Sequence, residues 1–250
     1  MRTLILSDIH LGTRNCRAAQ VLELLRRVPF DRLILNGDTI NSINLRKLTP
    51  PHWRVLAQLR EAARSRELIL VRGNHDFELW PGRNGSDRPA GATFMESSDR
   101  TSSAGREFGS QDVLPALLGV GMVEDYRLDV AGRPYLVFHG DRFDPTVNVP
   151  VVLDAADWCY QFSQKISKKL AQWLKKKSKR WAGLLEWIRR KSTAYAREQG
   201  YAGVVIGHTH FADDLHVEDV HYLNTGSWTE SPCTYALAEA GRIRLCHCHD

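Results

Sequence analysis

Five short apolar runs in this chain each end in a residue that can bind a metal ion. Thr3-Leu4-Ile5-Leu6 runs into Ser7-Asp8-Ile9-His10-Leu11-Gly12. Leu33-Ile34-Leu35 runs into Asn36-Gly37-Asp38, and Glu67 to Val71 into Arg72-Gly73-Asn74-His75-Asp76. Pro134 to Phe138 ends in His139-Gly140-Asp141, and Gly203-Val204-Val205-Ile206 in Gly207-His208-Thr209-His210. In an extended chain, residues two apart point the same way, so Asp8 and His10 can grip one cation between them. A lone histidine at a strand end is more often structural than functional. Five such coincidences restrict the chain to folds that gather their strand ends at one place.

The segments between these runs supply the helices. Ala18 to Val28 carries Val21, Leu22, Leu24, Leu25 and Val28 at helical spacing, and Trp53 to Ser65 is a second helix. Strand, helix, strand, helix, strand reads as α/β, with polar residues collected along one edge of the sheet. Residues 81–110, rich in Gly, Ser, Asp, Arg and Pro, read as a long loop or flap. Leu114 to Leu118 is a short helix. Tyr126 to Val130 and Pro134 to Phe138 form a hairpin about Ala131-Gly132-Arg133, and Val220 to Leu223, Thr234 to Glu239 and Arg242 to Cys246 are the last strands.

At 250 residues the chain is expected to be one domain, 1–250, with a helical insertion at about 151–199. Its five scattered cysteines argue against a disulfide framework and for a reducing compartment. No stretch approaches the roughly 18 consecutive apolar residues of a membrane span, and the N-terminus lacks the pattern of a signal peptide. These features fit a cytoplasmic protein. Cys246-His247-Cys248-His249 at the C-terminus alternates metal-ligand residue types, but a terminal tract of this kind seldom closes a tetrahedral site alone.

The strand-end donors are Asp8, Asp38, Asn74, His10, His139, His208 and His210. This mixture of oxygen and imidazole donors, without thiolate, suits Mn²⁺, Fe or Zn²⁺ better than Ca²⁺ or a structural zinc. Seven donors are too many for one ion and suit two that share a carboxylate. Pairs of metal ions roughly 3.5–4 Å apart activate water and clamp the attacking and leaving oxygens in phosphatases, nucleases and aminopeptidases.

Asp8-x-His10, Gly37-Asp38, Gly73-Asn74-His75-Asp76, His139-Gly140-Asp141 and Gly207-His208-Thr209-His210 resemble, in order, the motif set of calcineurin-like metallophosphoesterases. The resemblance spans residues 8 to 210. It implies a four-layer αββα sandwich, of α/β or α+β class, with a dinuclear metal centre at the strand ends. Carried over by motif, Asp8, His10 and His210 hold one divalent metal ion, Asn74, His139 and His208 hold a second, and Asp38 bridges. Mn²⁺ is the first expectation. His75 would then protonate the leaving oxygen or stabilise developing charge, with Asp76 orienting it. A non-catalytic scaffold on this fold is expected to have lost ligands, and here every expected position is filled.

The stretches between the motifs resemble a narrower branch, the UDP-2,3-diacylglucosamine hydrolases. These stretches are Ser7 to Arg14 with Cys16 after it, His139-Gly140-Asp141-Arg142-Phe143-Asp144, and Asn224 to Ser231, together with a helical insertion before the last metal motif. That resemblance implies cleavage of a lipid-linked nucleotide pyrophosphate to UMP and an acylated sugar phosphate in lipid A synthesis. The well-known members carry Arg where this chain has His75, which is the commoner residue across the wider superfamily. A soluble phosphodiesterase or phosphatase acting on nucleotides or phosphoproteins is the alternative.

The insertion bears on the partner. Between Lys165 and Lys191 there are eleven Lys or Arg and one acid, Glu186, interleaved with Leu170, Trp173, Leu174, Trp181, Trp187 and Ile188. Basic amphipathic helices with Trp suit an anionic membrane surface, where each basic residue is worth on the order of 1 kcal/mol. Such a protein is expected to sit peripherally on the inner face of the membrane. A solvated helix pair packed on the body is the plainer expectation. Nucleic acid fits less well, because the aromatics fall on a face suited to burial rather than to base stacking. Arg14 and Arg72 near the motif loops are candidates for substrate phosphate, and Asn44 and Arg46 beyond the Asp38 loop are candidates for lining the pocket.

Overall fold

The computed structural model describes residues 1–42, 44–76, 113–147 and 179–248. The loop expected at 81–110 and the insertion before Lys179, including Trp173, lie outside the described residues. In chain order the strands are β1 (Thr3–Leu6), β2 (Arg32–Asn36), β3 (Glu67–Val71), β4 (Met122–Val123), β5 (Tyr126–Val130), β6 (Arg133–Val137), β7 (Gly203–Ile206), β8 (Asp213–Val217), β9 (Val220–Asn224), β10 (Thr234–Glu239) and β11 (Arg242–His247). The helices are α1 (Ala18–Arg27), α2 (Pro50–Ser65), α3 (Val113–Leu118) and α4 (Lys179–Glu198).

The strands form two sheets, ordered β11-β10-β1-β2-β3-β4 and β5-β6-β7-β9-β8. In the first sheet β1, β2 and β3 are parallel, with α1 and α2 as the crossovers. In the second, β6, β7 and β9 are parallel. All five ligand-bearing loops therefore leave C-terminal strand ends, three from one sheet and two from the other.

Side-chain alternation builds the layers. Leu4 and Leu6 of β1, with Leu33 and Leu35 of β2, face one way and pack with Val21, Leu24 and Leu25 of α1 and Val55, Leu56 and Leu59 of α2. Ile5 and Ile34, one residue out of phase, face the other sheet and meet Val137, Val205 and Leu223. On the far side of the second sheet, Leu136, Val204, Ile206 and Tyr222 pack against Ile188 and Ala196 of α4. Three hydrophobic clusters thus separate four layers in the order α, β, β, α. Strands buried on both faces show continuous apolar runs rather than alternation, as in Thr3–Leu6 and Gly203–Ile206.

Four elements depart from the sequence reading, among them the two-residue strand β4, too short to leave a pattern of its own. Helix α2 begins at Pro50 rather than Trp53, because Thr49 and His52 form a reciprocal cap and two prolines occupy the first turn, where a missing N–H costs nothing. Strand β8 was not foreseen. Its Asp-Asp-Leu-His-Val sequence lies at a sheet edge with no fully buried position, so the hydrophobic signal is weak. On α4, Trp187 is 50% exposed, with Lys191 4.8 Å over its ring and its indole N–H donating to the Phe143 carbonyl at 3.2 Å. This ring lies outside the buried face of Ile188, Ser192 and Ala196, contrary to the burial expected of it. Among the described residues no helix is long and apolar enough to cross a membrane.

Candidate metal centre

The loops after β1, β2, β3, β6 and β7 bring all seven expected donors to the same end of the two sheets. Three overlapping groups have donor atoms within 4.8 Å of one another: Asp8, His10 and His210; His10, Asp38 and His75; and Asp8, Asp38 and His139. Asp38 Oδ2 lies 3.6 Å from His10 Nε2 and 3.3 Å from His139 Nε2, so this carboxylate reaches donors from both sheets. His208 Nδ1 lies 3.1 Å from Asn74 Oδ1, and its ring centroid is 5.2 Å from that of His139. None of the candidate groups among the described residues contains a cysteine, and Cys246 and His247 of the C-terminal tract belong to β11.

The backbone takes an unusual path to achieve this. Asp8, His10, Asp38, His208 and His210 all have φ between 50° and 66°, a region that costs a non-glycine residue of order 1–3 kcal/mol and persists only when its surroundings impose it. The imposing contacts cross between motifs. Asp8 N–H donates to the Gly37 carbonyl, His10 N–H to the Asp38 carbonyl, Trp228 N–H to the Asp8 carbonyl, and His208 N–H to Asp8 Oδ2 at 2.9 Å. Two glycines permit the close approach. A Cβ on Gly207 would lie 2.4 Å from Asp8 Oδ2, and one on Gly73 would lie 2.2 Å from the Asp38 nitrogen.

The donor set fits bound cations. Asp8 Oδ1 and His139 Nε2 are buried without a well-formed hydrogen bond, 3.1 Å from His210 Nε2 and 3.3 Å from Asp38 Oδ2 respectively, and such buried polar atoms carry a cost that an ion among them would relieve. His10 Nε2 and His210 Nε2 face each other at 3.0 Å, an arrangement that two neutral imidazoles tolerate only with a proton or metal ion between them. His139 Nδ1 lies 2.9 Å from the Asn36 carbonyl, and donation there turns Nε2 toward Asp38.

Ionisation follows the same charge balance. Burial alone would raise the Asp8 carboxyl, but His210 and His139 hold it down to about 2. Burial opposes ionisation of Asp38 too, yet His139 keeps it well below the ordinary carboxylate range. Desolvation drives His10 down to about 3 despite the neighbouring Asp38. His139 goes the other way, because Asp38 and Asp8 overcome its burial and hold it well above the usual imidazole value. Two buried carboxylates thus draw positive charge into the site.

The remaining expected residues divide. His75 is exposed, with its N–H donating to Asp38 Oδ1 at 2.8 Å and its ring edge-on to His10 at 5.0 Å between centroids. Asp76 does not orient it. The buried Asp76 carboxylate accepts from Ile40 N–H at 3.0 Å and Gly73 N–H at 3.2 Å, tying the β2 and β3 loops together, while His75 Nδ1 lies 3.3 Å from the Asn41 carbonyl. The i to i+1 spacing sends the two side chains in different directions. Burial, followed by the Asp38 charge, raises Asp76 to about 7. Arg72 pairs with Glu124 at 3.0 Å, and Asn44 caps a short 3₁₀ turn by accepting from Arg46 N–H at 3.2 Å. Arg14 and Arg46 are exposed.

Asp144 is a site residue to which the sequence reading assigned no role. Its Oδ2 lies 2.8 Å from His208 Nε2, and its Oδ1 accepts from Thr146 N–H and Oγ–H at 2.7 and 2.6 Å. Burial opposes its ionisation, but these bonds hold its carboxyl below the ordinary value. The only signal in the sequence was its place in the His139 to Asp144 stretch.

The family model of the calcineurin-like phosphoesterases matches residues 1–212, and the chain belongs to that family. It is a metal-dependent hydrolase, of a family that uses divalent metals. Curated proteins yield no match. Among solved structures, the chain is similar to the phosphoesterase YfcE from E. coli (16% identity, all of both chains, TM-score 0.47) and to an archaeal phosphodiesterase (13% identity, 99% of each chain, TM-score 0.45). It is also similar to a zinc complex of Vps29 from Entamoeba histolytica (14% identity, 99% and 98% of the chains, TM-score 0.47).

Proposed function

We propose that this protein is a dinuclear hydrolase of phosphate esters or anhydrides, acting on UDP-2,3-diacylglucosamine or a similar lipid-linked nucleotide pyrophosphate at an anionic membrane surface on the cytoplasmic side. The observation that carries the hydrolase reading is the convergence of Asp8, His10, Asp38, His139 and His210, with Asn74 and His208 beside His139. Asp8, His10 and His210 would hold one divalent ion, Asn74, His139 and His208 the other, and Asp38 would serve both. When bound, the ions supply an activated water and charge neutralisation at phosphorus, with Mn²⁺ the first candidate.

The chain's own residues contribute the rest. Asp38 Oδ1 anchors the His75 backbone, so the exposed imidazole is tied to the carboxylate shared by the two donor sets. From there His75 hands a proton to the leaving oxygen. Asp76, by joining the β2 and β3 loops, keeps Asp38 and His75 in register. Arg14 and Arg46, both exposed, remain the side chains offered to substrate phosphate, since Arg72 is engaged with Glu124.

The lipid-linked substrate is supported by the sequence resemblance and by the half-exposed Trp187 beside Arg190 and Lys191 on α4. Trp with flanking cations suits the boundary between headgroups and acyl chains. A second reading, a soluble phosphodiesterase or phosphatase, is favoured by His75 standing where the lipid-linked branch has Arg.

The test is UMP release from UDP-2,3-diacylglucosamine by metal-stripped protein with and without Mn²⁺. Metal-dependent release is expected. Cleavage of a generic aryl phosphodiester without UMP release would keep the hydrolase and discard this substrate, and inactivity on both would overturn the catalytic reading.

A further inference from the structure

We propose that Asp144 is a positioning residue for metal binding, its carboxylate holding the His208 ring so that Nδ1 faces the site. The inference rests on the dinuclear reading, in which His208 is a ligand.

The two residues come from different loops. Asp144 follows the 3₁₀ turn Asp141–Phe143 after β6, whereas His208 follows β7. The Asp144 carboxylate is itself held in place. Its backbone N–H donates to the Asp141 carbonyl, and Oδ1 is occupied by two donors from Thr146. That leaves Oδ2 for His208 Nε2 at 2.8 Å, in surroundings where Asp144 is only 7% exposed. His208 is also fixed at its backbone, by the 2.9 Å bond from its N–H to Asp8 Oδ2. A ring held at both ends has little freedom to turn.

The chemistry follows from the tautomer. A carboxylate is an acceptor only, so the 2.8 Å contact requires the proton on Nε2. Nδ1 of the neutral ring is then left with its lone pair, and it lies 3.1 Å from Asn74 Oδ1, another acceptor. Two acceptors at that distance are stable with a cation between them. Asp144 thereby selects the tautomer, orients the ring and raises its basicity as a ligand, as carboxylates do behind metal-binding histidines.

The experiment is calorimetric titration of Mn²⁺ into the metal-stripped full chain, for wild type, Asp144→Ala, Asp144→Asn and His208→Ala. Far-UV circular dichroism monitors the fold, and histidine ¹⁵N spectra of the metal-free protein read the tautomer. Asp144→Ala is expected to lose about 10–100-fold in affinity at one of two sites, leave the other unchanged, and shift His208 away from the Nε2–H form. Asp144→Asn keeps an acceptor without the charge, so it should keep the tautomer and lose less affinity. Should Asp144→Ala fail to fold, Asp144→Asn decides by its Mn²⁺ affinity, a loss at one of the two sites being expected. Wild-type affinity at both sites in a folded Asp144 variant, with His208 unmoved, would overturn the inference. Retention of both ions by His208→Ala, or absence of binding by wild type, would instead overturn the dinuclear reading on which it rests.

Discussion

Two regions of this molecule place non-glycine residues in the left-handed part of backbone space. At one end of the sheets are Asp8, His10, Asp38, His208 and His210; at the turns are Ala131, Glu218 and Ala240. The turn residues sit in two-residue loops between directly paired positions: Val130 with Arg133, Val217 with Val220, and Glu239 with Arg242. Such tight hairpins require a positive φ because only that twist matches the strands. Glycine follows at Gly132 and Gly241, so the signal is local and legible. At the site no two-residue hairpin demands the conformation, and only His208 is the centre of a tight backbone turn, closed by Thr209 N–H to the Gly207 carbonyl. Partners distant in sequence impose it, through bonds such as His208 N–H to Asp8 Oδ2. The same local cost therefore has a steric origin in one region and a functional one in the other.

Substitutions can separate the two. Asp38→Ala, which removes the carboxylate reaching both donor sets, should eliminate measurable turnover of an aryl phosphodiester with the circular dichroism spectrum unchanged; full activity would remove Asp38 from the shared position. His75→Ala should lower kcat by about 10²–10⁴-fold with little change in KM. A loss confined to KM would make His75 a binding residue. Gly207→Ala places a methyl group against Asp8 Oδ2, and the overpacking should cost about 1–3 kcal/mol in urea unfolding and weaken Mn²⁺ binding. Wild-type stability there would mean that the motifs are not tightly cross-braced.

A smaller effect concerns Asp76. Its native value near 7 exceeds the ordinary carboxylate value of the unfolded chain. Between the two, the native state keeps a proton that the unfolded state has lost, so its contribution is full below the unfolded value and is lost as pH rises through about 7. The urea midpoint of metal-stripped Asp76→Asn should accordingly fall less between pH 5 and pH 8 than that of wild type. An equal fall would refute the raised value. The smallest effect belongs to the turns. Ala240→Asn, which suits a left-handed position better, should raise stability by about 0.5 kcal/mol in thermal unfolding without altering activity or metal affinity. A change in either would show that the turns are coupled to the site after all.

The sequence carried much of the architecture and of the metal centre. The apolar runs of β1, β2, β3 and β7 and the helical periodicity of α1 were strong local signals, and the donors stood immediately after the strands. The edge strand β8 escaped because it buries little. Asp144 escaped because its importance depends on a histidine 64 residues away. Asp76 was assigned to its neighbour His75, whereas its carboxylate bonds Ile40 N–H, 36 residues earlier, as well as the nearby Gly73.

The sequence by itself determined which residue types stand at which strand ends, since strand formation and the period of two depend on neighbours only a few positions apart. The tertiary structure alone decided which donors meet, which ring nitrogen faces inward, and which carboxylate braces rather than binds. Those outcomes depend on contacts across two sheets, such as Asp38 with His139 and Asp144 with His208. A left-handed backbone at these five polar residues is stable only once those contacts hold it there.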